Sequence, residues 1–427
     1  MSRVSEFLSG LTESADMRAF ARSMSLYGAS ASIAQVIMMV YTLVVARHLG
    51  VAQYGIFAGA YSLSGLTAFV VNWGLDTWLL REAAMTNRAY GDERDVGGQV
   101  TRVKLVLGVV WAVLLVGLAP LIRPDLFLRE LMLVCAVDTL VESLVNTQIA
   151  VLNTQKRMQD ISHILIISRT GRLAGAVMLI SLGGFGPLAF AVARSIATLI
   201  GLMYARFRVN LPLAGGTNIH LLKIWQSAAP YGLSELMALI YLQVDVTMIS
   251  IILGKEATGI YAPAVGIIAA LFVLPNVIYL AFIPRLSRIL GESLAGFFRW
   301  AGGMMSVFLL LGIALTTAVA IGGEWVVVTL LRQAFAESGQ ILTLLSPILL
   351  FKSLSFGFGA ILVSIGWQRF RLIPQAVASI VAIGVNLWAI PNFGVRGAAW
   401  VYLLGELVLM VGYGLIVIVW GRKRNTA

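Results

Sequence analysis

Cysteine is nearly missing from this chain. Cys135 is the one cysteine in 427 residues and lies inside an apolar run, which excludes an internal disulfide and any cysteine metal site. Histidine is scarce too. His48, His163 and His220 stand far apart and form no metal-ligand spacing, so no metal and no cofactor is expected. Charged residues make up only 12% of the chain, about half the share usual in soluble domains. There is no G-x-x-x-x-G-K-[ST] phosphate loop. No nucleophile–base pair or carboxylate dyad falls outside the apolar runs, so covalent catalysis is not expected. A cleavable leader is not expected either. Residues 1–22 contain Glu6, Glu13 and Asp16, too polar for a signal core, so the first apolar run reads as a retained span.

What is abundant is apolar surface. Hydrophobic residues make up 59% of the chain and mean hydropathy is +0.89. A water-soluble fold could not hide that much, so the bilayer must be the solvent. The sequence reads as an all-α polytopic membrane protein of about twelve spans. They lie near 24–46, 54–74, 103–122, 131–152, 160–182, 186–205, 227–253, 259–283, 301–322, 340–364, 371–390 and 397–420. Counting residues at the very ends of spans with the adjoining loop, Lys and Arg divide between the two sides as 21 against 6, with 4 of the 31 deeper inside spans. That bias predicts both termini in the cytoplasm. It also accounts for the net charge of +11 without invoking nucleic acid.

One phrase occurs twice, 204 residues apart. Leu49-Gly50, four residues, Gly55-Ile56-Phe57-Ala58 returns as Leu253-Gly254, four residues, Gly259-Ile260-Tyr261-Ala262. Phe185-Gly186 likewise returns as Phe393-Gly394. An even number of spans per copy keeps both copies in the same orientation, so the chain reads as two parallel six-helix repeats. Such repeats rock about a central cavity. The expected organisation is a cytoplasmic segment 1–23, a first half 24–205, a linker 206–226 punctuated by Pro212 and Gly215-Gly216, a second half 227–420 and a tail 421–427. The longest loops are 75–102, with Arg81, Arg88, Arg94 and Arg102, and the linker.

Several segments carry a resemblance. ARHLGVAQYGIFAGAYSL at 46–63, NWGLDTWLLREAA at 72–84, VDVTMISIILGKEATGIYAPAVGI at 244–267, IPRLSRI at 283–289 and IPNFGVRGAAWVYLLGE at 390–406 resemble the polysaccharide-biosynthesis flippases, the Wzx-type branch of the MOP (MATE-like) exporter superfamily. The resemblance implies a V-shaped bundle in a bacterial cytoplasmic membrane. It implies flipping of a polyprenyl-pyrophosphate-linked oligosaccharide repeat unit by alternating access, for surface polysaccharide export. Implied partners are that glycan, the lipid bilayer, and a polymerase and glycosyltransferases, with no nucleic acid. The alternatives are a cation-coupled drug or metabolite antiporter of the same superfamily and, from another class, a membrane polysaccharide polymerase. A polymerase would carry a large outer loop, and the outer loops here are short. With no nucleotide site in the chain, active transport would draw on an ion gradient, the membrane potential or a partner.

Charges inside spans are costly and mark candidate sites. Arg169, Arg172, Arg194 and Lys352 sit at middle depths and are candidates for a cationic lumen that binds substrate. Arginine suits phosphate because its planar fork makes paired hydrogen bonds. A structural reading competes. Asp138 and Glu142 share one helix face, level with Arg172 and Arg169, so two internal salt bridges could satisfy all four. Arg194 and Lys352 have no partner in an adjacent span. Glu235, Asp245 and Glu406 complete the buried acids. They are candidates for ion coupling or pairing, with Glu235 set against Lys352 and Asp245 read as structural. Gly171, Gly175, Gly302, Gly303, Gly357 and Gly359 read as close-packing positions. Pro230, Pro263, Pro275, Pro347 and Pro374 interrupt or open spans of the second half. Trp73, Trp78, Trp225, Trp325, Trp367 and Trp420 read as interfacial anchors.

Overall fold

A computed structural model describes the backbone of residues 2–84, 93–211 and 221–425, and the side chains of 28–82, 94–211 and 224–422. Arg88, Pro212, Gly215, Gly216 and His220, and with them the middle of the expected linker, lie outside the described residues. All regular structure among the described residues is helical. The helices are α1 (Ser2–Thr67), α2 (Phe69–Asn72), α3 (Leu75–Ala84), α4 (Glu93–Ile122), α5 (Arg129–Thr154), α6 (Met158–Leu182) and α7 (Pro187–Val209). They continue with α8 (Leu221–Ile252), α9 (Lys255–Leu271), α10 (Val273–Glu292), α11 (Leu294–Leu331), α12 (Ala336–Leu345), α13 (Ile348–Ser364) and α14 (Leu372–Asn425).

Two of these helices are too long to be single spans, since 54 residues or more would run about 80 Å or more against a hydrocarbon core of about 30 Å. Each folds back at a glycine. In α1 the break is Gly50, φ 72°. The Tyr54 hydroxyl reaches Thr42, which a straight helix would hold about 18 Å away. In α14 the break is Gly394, φ 61°. A Cβ on Gly397 would lie 2.8 Å from the Ala389 carbonyl carbon, possible only in a fold-back. Positive φ is comfortable for glycine alone, so these two residues set the hairpins.

Nine helical units are long and apolar enough to cross a membrane among the described residues, or ten when α12 and α13, bent by 42°, are taken together. Dividing α1 and α14 at their glycines makes an arrangement compatible with twelve spans. Side chains such as Val113, Leu121, Ile321 and Ile380 are more than three-fifths exposed. Water would not tolerate that belt, and lipid does. The chain is a multi-pass membrane protein.

The core follows the same logic. α5, α6 and α7 pack on one another, α1 lies along α9, and α8 lies along α14. One hydrophobic cluster joins both parts of the chain through Tyr41, Phe57, Leu126, Tyr261, Phe335 and Tyr402. Its tightest point is made by the two copies of the repeated phrase. Gly55 of α1 packs against the backbone of Lys255 and Gly259, and Gly259 of α9 packs against the backbone of Val51. Residues 51 and 55 correspond to 255 and 259 in the repeat, so the contact is symmetric about its own centre.

Candidate functional site

Between the two parts of the chain lies a cavity of about 610 Å³. Its wall includes Tyr61 and Ser62 of α1, Glu142 and Asn146 of α5, Arg194 of α7 and Gln243 of α8. Serine, asparagine, glutamine and glycine here would be wasteful in a packed core, and they suit a watery lumen. Ser62 reaches across the gap to Thr247 of α8 at 2.7 Å.

The ionic centre stands on three neighbouring helices. Helical spacing puts Asp138 and Glu142 on one face of α5, and Arg169 and Arg172 on one face of α6. α7 supplies Arg194. Asp138 is fully buried and accepts from Arg194 Nε at 2.8 Å and from the Thr198 hydroxyl at 2.5 Å. Glu142 collects three guanidinium groups, Arg172 at 3.0 Å, Arg169 at 3.2 Å and Arg194 at 3.5 Å. The Arg194 guanidinium also lies 4.0 Å from the centre of the Tyr61 ring, a favourable cation–π geometry. Three cations thus face two anions. Arg172 keeps Nε and Nη1 buried without a partner.

Beyond the cavity lining, the two parts of the chain also touch at two places. At the Gly50 end, beside the glycine contact, Arg123 donates to the carbonyls of Ile251 and Ile252 at the end of α8. Arg47 donates to the Leu330 carbonyl at the end of α11. A cation at a helix C-terminus satisfies orphan carbonyls and the helix dipole together. At the other end, Trp73 and Gly74 both adopt positive φ and break the chain between α2 and α3. The break docks on α8. Trp73 stacks on Trp225 with ring centres 4.6 Å apart, the Gly74 N–H donates to Glu235 at 3.1 Å, and Arg81 donates to the Tyr231 hydroxyl.

The family model described as polysaccharide biosynthesis protein matches residues 20–290. The chain belongs to the polysaccharide biosynthesis protein family. No curated protein matches it by sequence. Its fold is similar to that of the lipid II flippase MurJ in an inward closed conformation, with TM-score 0.72 at 12% identity over 92% of this chain and 87% of that one. It is similar to an inward-facing multidrug resistance MATE family transporter of the MOP superfamily, with TM-score 0.70 at 15% identity over 91% of this chain and 94% of that one. An outward-facing transporter of that description aligns at TM-score 0.59 and 14% identity, over 94% of this chain and 95% of that one. This family member therefore has the MOP transporter fold.

Of the residues singled out by sequence, Arg169, Arg172, Arg194, Asp138 and Glu142 come together in one cluster. The pairing differs from the two parallel bridges expected of α5 and α6. Both α6 arginines converge on Glu142, because Arg194 enters from α7 and takes Asp138. Lys352 is also paired, with Glu406 at 2.8 Å, and lies near the rings of Phe272 and Tyr241. The expected Lys352–Glu235 pair does not form, since Glu235 is held by Gly74. Asp245 accepts from Tyr261 at 2.6 Å and from the Val246 N–H. Sequence reasoning missed a further buried ion pair. Lys104 of α4, fully buried, grips Asp76 of α3 at 2.8 Å, and Thr147 donates to the same carboxylate. A lysine inside an apolar run was its signal.

The tryptophans divide. Trp325 is 71% exposed, as an anchor should be. Trp73 and Trp225 stack between the α2–α3 break and α8, and Trp78 and Trp420 are buried. The glycines divide too. Gly171 and Gly175 pack on Ala197 and Ala193, and Gly357 on Met305 and Phe308, while nothing approaches Gly302 or Gly303 within 4 Å.

Proposed function

We propose that this protein flips a polyprenyl-pyrophosphate-linked oligosaccharide repeat unit across a bacterial cytoplasmic membrane by alternating access. The units that rock are the halves 24–205 and 227–420. Both termini are cytoplasmic, so the Gly50 end faces outward and the Trp73 end faces the cytoplasm. The observation that carries this reading is the arginine cluster, which reaches the cavity wall through Arg194 and Glu142. Three guanidinium groups meet two carboxylates, which leaves one formal positive charge at mid-depth. A net cationic lumen attracts an anion and repels a cation, and paired Arg donors match phosphate oxygens.

The pyrophosphate enters by parting Trp73 from Trp225, while the prenyl chain stays in lipid. The sugars fill the polar cavity between Ser62, Asn146 and Gln243. The outward mouth then opens by parting Gly55 from Gly259. The family membership and the likeness to transporters and a flippase support a carrier that makes and breaks no covalent bond. A cation antiporter would need an acidic lumen, and the excess here has the opposite sign. Glycosyltransferases that build the unit and a polymerase that joins it are the expected partners.

The test is deletion of this protein in its own cell. The lipid-linked unit should still be made, should collect on the cytoplasmic leaflet, and should no longer reach the surface. Loss of synthesis of the unit itself would point to an enzyme. Normal polysaccharide with new sensitivity to cationic drugs would point to an antiporter.

A further inference from the structure

The two acids of the cluster are held in different ways. Asp138 has no exposure, and its carboxylate is saturated by Arg194 Nε and Thr198. Glu142, one helical turn along α5, is 30% exposed and lines the cavity. Its two oxygens face three guanidinium groups. Each guanidinium carries five N–H donors, so one carboxylate under-fills the ring of donors around it. The shortfall is visible in Arg172, whose Nε and Nη1 are buried without a partner. The centre of the cluster is therefore an anion site built for more acceptor oxygens than the resident group supplies.

We propose that Glu142 is an exchangeable stand-in for the substrate's pyrophosphate, while Asp138 is the permanent counter-ion of the site. This rests on the pyrophosphate reading above. Two phosphoryl groups bring more acceptor oxygens than a carboxylate, and charge-assisted hydrogen bonds to them are strong. When substrate enters, Glu142 leaves the arginines for the water of the cavity and the pyrophosphate takes its place. When substrate has gone, Glu142 returns. The return matters because the empty carrier must reorient with its arginines away from bulk water, and unpaired buried cations make that step costly. Glu142 thus makes the empty carrier electrically tolerable. It also selects substrate, since a neutral lipid-linked sugar could not displace it.

Removing the negative charge of Glu142 should therefore strengthen anion binding and slow turnover. A merely structural acid would give the opposite or give nothing. The experiment uses full-length protein in lipid nanodiscs, titrated with inorganic pyrophosphate at fixed salt. Glu142→Gln should bind about tenfold tighter or more, from removal of one competing charge at contact range, and should export less polysaccharide in cells. Asp138→Asn should not bind tighter, and Arg172→Gln should bind more weakly. Glu142→Asp keeps the charge but cannot reach all three arginines. It should fall between wild type and Glu142→Gln, and it serves as the readout should the Gln variant fail to accumulate. Pyrophosphate binding by the wild type with no gain in Glu142→Gln or Glu142→Asp would overturn the exchange and leave the proposed function standing. Absence of pyrophosphate binding in wild type and variants alike would overturn both.

Discussion

A single added methyl group at the symmetric glycine contact should unbalance the carrier. A Cβ on Gly55 would lie 2.6 Å from the Lys255 carbonyl carbon and 2.9 Å from the Gly259 nitrogen. One on Gly259 would lie 2.7 Å from the Val51 carbonyl carbon. Carbon atoms pack comfortably at about 3.5–4.0 Å, so α1 and α9 must part by about 1 Å where they touch. The neighbours are backbone atoms and cannot swing aside. Overpacking of this kind costs about 1–3 kcal/mol, and the cost falls only on the state in which the two copies touch. An equilibrium biased by that amount moves about 5–150-fold, here toward an outward-open cavity. Cysteine at Ser62, on the cavity wall, reports the change in a background with Cys135 replaced. A membrane-impermeant maleimide added from outside should label Ser62→Cys several-fold faster in Gly55→Ala or Gly259→Ala than without them, and polysaccharide export should fall. Gly302→Ala and Gly303→Ala, where nothing lies within 4 Å, should change neither readout. Unchanged labelling in both Gly55→Ala and Gly259→Ala would refute the contact as the outer closure.

The opposite mouth should respond to Trp73→Ala, which removes an aromatic stack worth about 0.5–1.5 kcal/mol. Labelling of Ser62→Cys from the cytoplasmic side should rise by up to about tenfold, and no rise would remove the stack from the gate. Breaking the buried Lys104–Asp76 pair by Lys104→Met should cost about 3–5 kcal/mol, read as loss of thermal stability in detergent, while Lys104→Met with Asp76→Leu should recover part of it. Lys352→Glu or Glu406→Lys alone should lower accumulation in the membrane, and the two together should restore it if the 2.8 Å pair is structural. Phosphatase and fluorescent-protein fusions at 125, 185, 256 and 394 should report the outside, and those at 90, 157, 215 and 424 the cytoplasm; an inversion after any one span would break the parallel repeat.

Much of the architecture was legible because it obeys local rules. Apolar runs locate the helices, and Gly50 and Gly394 sit where the chain reverses with positive φ. The duplicated phrase marks its own contact partner. The ionic cluster was half legible. Spacing of three and four along α5 and α6 puts Asp138 with Glu142 and Arg169 with Arg172. It carries no information about α7, so Arg194's hold on Asp138 could not be read. The Lys352–Glu406 pair joins α13 to α14 across 54 residues for the same reason. Trp73 and Trp225 have the composition of membrane anchors. Their stacking follows from the Trp73-Gly74 break, a backbone conformation that a tryptophan seldom adopts and that sequence patterning does not reveal.

The proposed grip of the arginine cluster on the pyrophosphate of a lipid-linked glycan acts during passage across the membrane. It is tested most directly in proteoliposomes holding purified protein and a fluorescent polyprenyl-pyrophosphate sugar, with the outer-leaflet fraction followed by an impermeant quencher. Wild type should equilibrate the lipid between leaflets, and Arg172→Gln and Arg194→Gln should do so at least about tenfold more slowly while remaining folded. Equal rates in all three, or equal flipping of an uncharged prenyl-linked sugar by the wild type, would contradict the account.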